Sequence, residues 1–237
     1  MDTIITDPGK DPMGAMLLDT FHGDESAYLE VSSPVFEMSE MRGAEMMRSY
    51  AAMNDVEKKA LSLCTGRVLD VGAGGGCHSH HLQGQGMEVE AIDISPGCVA
   101  VLQGRGIKAY QRNIYAEQHG RYDTVLMLMN GLGICGTLDG LNLFFQHVPT
   151  FLGGGGKIVA DSTDLRCLMD EEQGSSDYHG ETEFVMSYKG VKSAPFPWLY
   201  VDFETLQHLA RYNNLQCEQV LVEPTGHYLV EISALGS

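Results

Sequence analysis

From Gly66 onward, short apolar runs alternate with amphipathic stretches, the pattern of repeated βα units. RVLDVG reads as a first buried strand, HSHHLQGQG as a short helix with its exit glycines, and MEVEAIDIS as a second strand ending in an acid. PGCVAVLQGRG predicts a helix, IKAYQRN a third strand, YDTVLMLMN a fourth, GLNLFFQHVPTFL a helix, and GGGGKIVADS a fifth strand. Parallel strands joined by right-handed crossovers build a doubly wound α/β sheet with helices on both faces.

The two ends of the chain read differently. The first twenty-five residues are polar and interrupted by Pro8, Gly9, Pro12, Gly14 and Gly23, which predicts a loose end, and a long helical stretch is expected over about 36–64. Met38, Met41, Met46, Met47 and Met53 fall on that stretch, either as adaptable packing or as a lid over a substrate. Near the C-terminus, two apolar runs flank a Lys-Gly turn in ETEFVMSYKGVKSAPFPWLYV, a hairpin or a short excursion from the sheet. Its aromatics, Tyr178, Phe184, Tyr188, Phe196, Trp198 and Tyr200, are either hairpin core or pocket wall. VDFETLQHLARYN is a helix opened by Asp202, and the EPTG turn separates two final strands as an antiparallel pair at the sheet edge.

Composition narrows the classes. With 237 residues, 43% of them hydrophobic, the chain is long enough for one large globular domain. Fifteen Lys and Arg against 32 Asp and Glu leave a net charge of −17, which repels phosphate backbones and anionic membranes. No nucleic-acid partner is expected. The apolar run Val125–Met129 is far short of the ~20 residues a membrane helix needs, and MDTIITDPGKDP lacks the features of a signal peptide. A cytoplasmic chain follows, with its six cysteines as free buried thiols.

The chemistry concentrates at the carboxyl ends of the strands. In VLDVGAGGGCHS, Asp70 ends a strand, and Gly72, Gly74 and Gly76 let the backbone approach a ligand ahead of a helix N-terminus. Asp93 ends the second strand, seventeen residues beyond Gly76, where a carboxylate can accept from both ribose hydroxyls. Together they point to a nucleoside-containing cofactor. Ala73, Cys77 and His78 line the same loop, and Ile94 follows the acid. His78, His80 and His81 have neither an HExxH frame nor a cysteine pair, so no metal is expected.

The dinucleotide fingerprint G-x-G-x-x-G fails at Cys77, whereas an acid followed by G-x-G-x-G is matched by Asp70, Gly72, Gly74 and Gly76. In this the sequence resembles the class I S-adenosylmethionine-dependent methyltransferases. GAGGGCHS, AIDIS, LMLMNGLGI and PFPWLYVD narrow the resemblance to a bacterial group of such enzymes. It implies a Rossmann-like, mostly parallel seven-strand sheet with an antiparallel last strand. An extension with a helical cap would occupy 1–60, and the methyltransferase domain 61–237, with a hairpin insertion at about 181–200.

The resemblance also implies roles for residues. Asp70 would sit near the cofactor's ammonium and Asp93 on its ribose. Asn113 would accept from adenine and Ile114 pack on its ring, unless Asn113 is an ordinary helix cap. Met129 and Asn130 fall where the sheet edge meets cofactor and substrate. Asp161, Ser162 and Asp164 follow the fifth strand, and one of them could orient a nucleophile or take its proton, with Asn130 beside it. The expected activity is transfer of a methyl group to a small-molecule acceptor by in-line displacement. The alternatives are a nicotinamide-dependent oxidoreductase and a cofactor-binding module without catalysis.

Overall fold

The computed structural model describes residues 4–116, 121–167 and 178–235. In chain order its elements are α1 (Pro12–Phe21), β1 (Tyr28–Ser32), β2 (Ser39–Arg42), α2 (Gly43–Met46), α3 (Asp55–Leu63), β3 (Arg67–Val71), α4 (Cys77–Gly84), β4 (Glu88–Asp93), α5 (Pro96–Gly104) and β5 (Lys108–Gln111). There follow β6 (Tyr122–Met127), α6 (Leu138–His147), β7 (Leu152–Thr163), β8 (Glu181–Tyr188), β9 (Val191–Lys192), β10 (Phe196–Leu199), α7 (Phe203–Tyr212), β11 (Leu215–Val222) and β12 (His227–Ala234). Short 3-10 turns include Ile114–Ala116 and Gly131–Cys135.

The main sheet has the strand order β11-β12-β7-β6-β3-β4-β5. Strands β4 and β5, and β6 and β7, run parallel, while β12 is antiparallel to both β7 and β11. This is the expected doubly wound sheet, with its last strand inserted in reverse. A smaller sheet, β10-β8-β1-β2 with β9 on β8, takes up the Lys-Gly hairpin: Lys189 and Gly190 both turn at positive φ between β8 and β9.

The N-terminal region departs from the sequence reading in two ways. The expected loose end contains α1, because Asp11 caps it through Gly14 N and Pro12 presets its first turn. The expected continuous helix over 36–64 is broken into β2, α2, a 3-10 turn and α3. Just before it, β1 alternates exposed and buried residues with a period of two and pairs with β2, which draws the start of the segment into a sheet. Only α3 remains from the last part, begun by a reciprocal capping box between Asn54 and Glu57. Met46 and Met53 are buried, whereas Met38 is exposed. One cysteine also departs from expectation, since Cys167 is exposed and the other five are buried.

The chain forms two compact units. One takes 4–53, 69–116 and 183–196; the other takes 54–68, 121–167, 178–182 and 197–235. In the first, Met16, Leu17, Leu29, Cys98 and Val101 share one apolar cluster. In that unit α1 meets α5 backbone to backbone, and a Cβ added at Gly97 would lie 2.5 Å from the Cα of Gly14. In the second unit, Val125, Leu126, Ile158, Val159 and Val230 are fully buried. Among the described residues, no helix is long and apolar enough to cross a membrane.

The Gly14–Gly97 approach leaves no space for a side chain, so overpacking should be costly there. Gly97→Ala is expected to lower unfolding free energy by about 1–3 kcal/mol, read from urea denaturation, with wild-type stability contradicting the close packing.

Candidate functional site

The first unit holds the glycine loop. Strand β3 is short and buried, and the chain leaves it through Gly72, Gly74 and Gly76, all at positive φ, which a side chain would oppose. Gly72 N and Ala73 N both donate to Ile92 O on β4, at 2.9 and 3.3 Å, and Gly76 N closes the turn on Ala73 O. Behind the loop there is no slack. A Cβ at Gly76 would meet Leu102 Cδ2 at 2.5 Å, and one at Gly75 would meet Met46 O at the same distance. Gly74 differs, since a Cβ there would find nothing nearer than Gly72 O at 4.0 Å. The loop is thus packed on one side and open at Gly74.

Asp93 closes the arrangement from β4. Its Oδ2 accepts from Gly74 N and its Oδ1 from Ser95 N, both at 2.9 Å. Burial pushes its carboxyl up to about 6, against the two amides, which favour the charge; the nearby carboxylates Asp11 and Asp70 push it further up. Each oxygen keeps a lone pair for another donor. Ile94 beside it is apolar yet 43% exposed.

The other loop positions take distinct places. Asp70 is buried, with Oδ2 accepting from Ser79 Oγ at 2.6 Å, and burial raises its carboxyl. Cys77 and His78 are buried in the first turn of α4. Asn113 Oδ1 accepts from Tyr115 N, capping the 3-10 turn in which Ile114 is buried. His81 stacks on Tyr50 with ring centroids 4.1 Å apart, and burial lowers its pKa.

The second unit holds a polar cluster where β6, β7 and β12 meet. Met129 and Asn130 both adopt positive φ after β6, a conformation that costs a non-glycine residue about 1–3 kcal/mol where it is strained. Asn130 Oδ1 accepts from Thr163 Oγ1 at 2.7 Å. Gly131 N donates to Asp161 Oδ1 at 2.8 Å, and Asp161, only 1% exposed, presents Oδ2 to His227 Nε2 at 2.8 Å. His227 Nδ1 faces Glu223 Oε2 at 3.5 Å. The Asp161 hydrogen bond raises the His227 pKa, against the opposing effect of burial.

Asp161 and Ser162, expected at the carboxyl end of the fifth strand, lie within it, because pairing with β12 carries β7 on to Thr163. Register then separates them. His227 pairs with Thr163, so Asp161, Thr163 and His227 share one face of the sheet, while Ser162 and Tyr228 share the other. Ser162 Oγ accepts from Val201 N, and Tyr228 donates to Val201 O. Asp164 lies beyond the strand and is held by Arg166.

The hairpin aromatics divide in the same manner. Phe184 stacks with Phe36 and Tyr188 donates to Asp19, both in the first unit, whereas in the second a Cβ on Gly133 would meet the Trp198 ring at 2.1 Å. Sequence reasoning missed Ser79, Thr163, Glu223 and His227. The last could have been found by pairing the strand after EPTG with strand five in reverse.

No family model matches the sequence. Ubiquinone biosynthesis O-methyltransferases of Xanthomonas oryzae and Xylella fastidiosa are 36% identical over 80 residues, covering 30% of this chain and 34% and 32% of theirs. The match thus spans about a third of these curated relatives. The CcbJ methyltransferase of Streptomyces caelestis, 15% identical with a TM-score of 0.61 over 78% of this chain and 91% of its own, shares the fold. A crystal structure of an S-adenosylmethionine-dependent methyltransferase from Bacteroides fragilis, in complex with S-adenosylhomocysteine, is 42% identical. It superimposes with a TM-score of 0.92 over 99% of both chains. With the sheet order, the open glycine loop and the acid ending β4 in place, this likeness settles the family: the chain belongs to the S-adenosylmethionine-dependent methyltransferases.

Proposed function

We propose that this enzyme methylates a hydroxyl or amine of a small-molecule acceptor, and that Gly72–Gly76 and Asp93 hold its cofactor. The observation that carries the reading is the clasp of Asp93 by Gly74 N and Ser95 N beside an open Gly74. These residues suit a nucleoside: the carboxylate retains acceptor capacity for two ribose hydroxyls, and exposed Ile94 offers an apolar surface for adenine. Asp70, Ala73, Cys77, His78, Asn113 and Ile114 complete the proposed cofactor set, with Met129 and Asn130 after β6. The bound cofactor supplies a methyl group made electrophilic by its sulfonium.

What remains for the protein is to position the acceptor and receive its proton. A neutral alcohol or an ammonium must lose a proton for transfer to proceed, and His227 is suited to take it. With Nε2–H donated to Asp161, the Nδ1 lone pair is left on the other side of the ring, where Glu223 Oε2 stands at 3.5 Å. Asp161 then stabilises the imidazolium formed and, through Gly131 N, holds the turn that carries Asn130. Ser162, on the opposite face, serves as a structural acceptor for Val201 N. The −17 charge supports a small acceptor over a nucleic acid.

Two outcomes are expected. S-adenosylhomocysteine affinity, measured calorimetrically, should hold steady above pH 7 and fall as the pH drops through about 6, because protonation of Asp93 removes acceptor capacity. Asp93→Ala should weaken binding by about 1.5–3 kcal/mol at neutral pH, and a folded variant of unchanged affinity would refute the ribose role.

Incubation with methyl-labelled cofactor and a small-molecule cell extract, followed by mass spectrometry, should reveal a labelled acceptor. Transfer should rise with pH through the elevated His227 pKa. His227→Gln should lose about 10²–10⁴-fold in rate while binding S-adenosylhomocysteine normally; transfer at the wild-type rate would remove His227 from the mechanism.

A further inference from the structure

The residues before α1 lie against the segment that follows Asp93. Ile5 N donates to Ile94 O at 2.9 Å, and Gln111, at the end of β5, donates through Nε2 to Ile5 O at 2.6 Å and to Ile94 O at 3.0 Å. One side-chain amide therefore ties two carbonyls together, fixing the N-terminal segment to the residue adjoining the cofactor's acid. Further along, Asp11 is 3% exposed, and its carboxylate serves two helices at once. Oδ1 accepts from Gly14 N at the start of α1, while Oδ2 accepts from Ser95 Oγ at 2.7 Å and Gly97 N at 3.1 Å at the start of α5.

Ser95 connects this carboxylate to the site. Its Oγ accepts from Cys98 N, and its own N–H donates to Asp93 Oδ1. A buried carboxylate close to another is electrostatically costly, and Asp11 does raise Asp93. Capping alone does not call for that cost, since a neutral Ser or Asn caps a helix about as well. What an acid adds here is a charge-assisted hold on the Ser95 hydroxyl, while the Ser95 N–H serves Asp93.

We propose that the N-terminal segment from Ile5 through α1 is a working part of the cofactor site, with Asp11 as the positioning residue that sets the Asp93 carboxylate through Ser95. The inference rests on the reading of Asp93 as the ribose acceptor. Binding and segment order are then reciprocally coupled: cofactor tightens the segment, and loosening the segment weakens cofactor.

Calorimetric titration of the full chain with S-adenosylhomocysteine over pH 5–8, for wild type, Asp11→Asn and Gln111→Ala, tests this. Asp11→Asn should bind about tenfold more weakly at neutral pH, the loss expected when a charge-assisted contact is misplaced. Its affinity should also break at a lower pH than wild type, because a like charge facing Asp93 is gone while Asp70 and the Cys98 thiol remain, a shift that loss of packing alone would not produce. Gln111→Ala cuts the Ile5 tie without touching Asp11 and should also weaken binding, which keeps the test intact if Asp11→Asn does not fold. In wild type, ligand should slow hydrogen exchange at Ile5 and across α1. Wild-type binding matched by both variants, with exchange at Ile5 unaltered by ligand, overturns this inference alone. A wild type that takes up no S-adenosylhomocysteine overturns the cofactor reading and this inference with it.

Discussion

A carboxylate withdrawn from water keeps its charge only where fixed donors replace the solvent, and those donors then decide where it points. Asp93 is in that position. Gly74 N and Ser95 N each hold one of its oxygens, so the glycine loop and the start of α5 are joined through a single side chain. The loop can supply Gly74 N only because Gly72, Gly74 and Gly76 accept positive φ and because the space behind them is filled by Met46, Leu102 and Ile107. Backbone conformation, core packing and the acid at the end of β4 are thus one constraint.

A second carboxylate organises the other unit by the same means. Asp161 is more deeply buried than Asp93, and it divides its oxygens between a backbone amide and an imidazole, Gly131 N and His227 Nε2. The first contact steadies a turn that begins with two consecutive non-glycine residues at positive φ, and the second fixes the orientation of a titratable ring. Among the described residues, Asp93 is held by two backbone amides, whereas Asp161 is paired with an imidazole. That difference is what the proposed roles rest on, ligand binding for the former and proton handling for the latter.

Much of this was legible in the sequence where one local rule governed each step. The βα alternation, the glycine loop, Asp93 at its strand end and the EPTG reversal all follow from periods of two or 3.6 and from turn chemistry. The start of the 36–64 segment is a strand rather than a helix because it pairs with β1, a partner outside the segment that its own pattern does not show. The separation of Ser162 from Asp161 was unreadable without register, since one step along a strand changes the face. His227 and Asp11 were missed for a related reason: their partners lie 66 and 84 residues away, at distances that no local pattern spans.

The most direct test of the central claim is a crystal structure of the full chain with S-adenosylhomocysteine. Both ribose hydroxyls should lie within hydrogen-bond distance of the Asp93 carboxylate, with the main chain of Gly74 against the ligand and adenine on Ile94. Ligand bound elsewhere, or ribose hydroxyls turned away from Asp93, would contradict it.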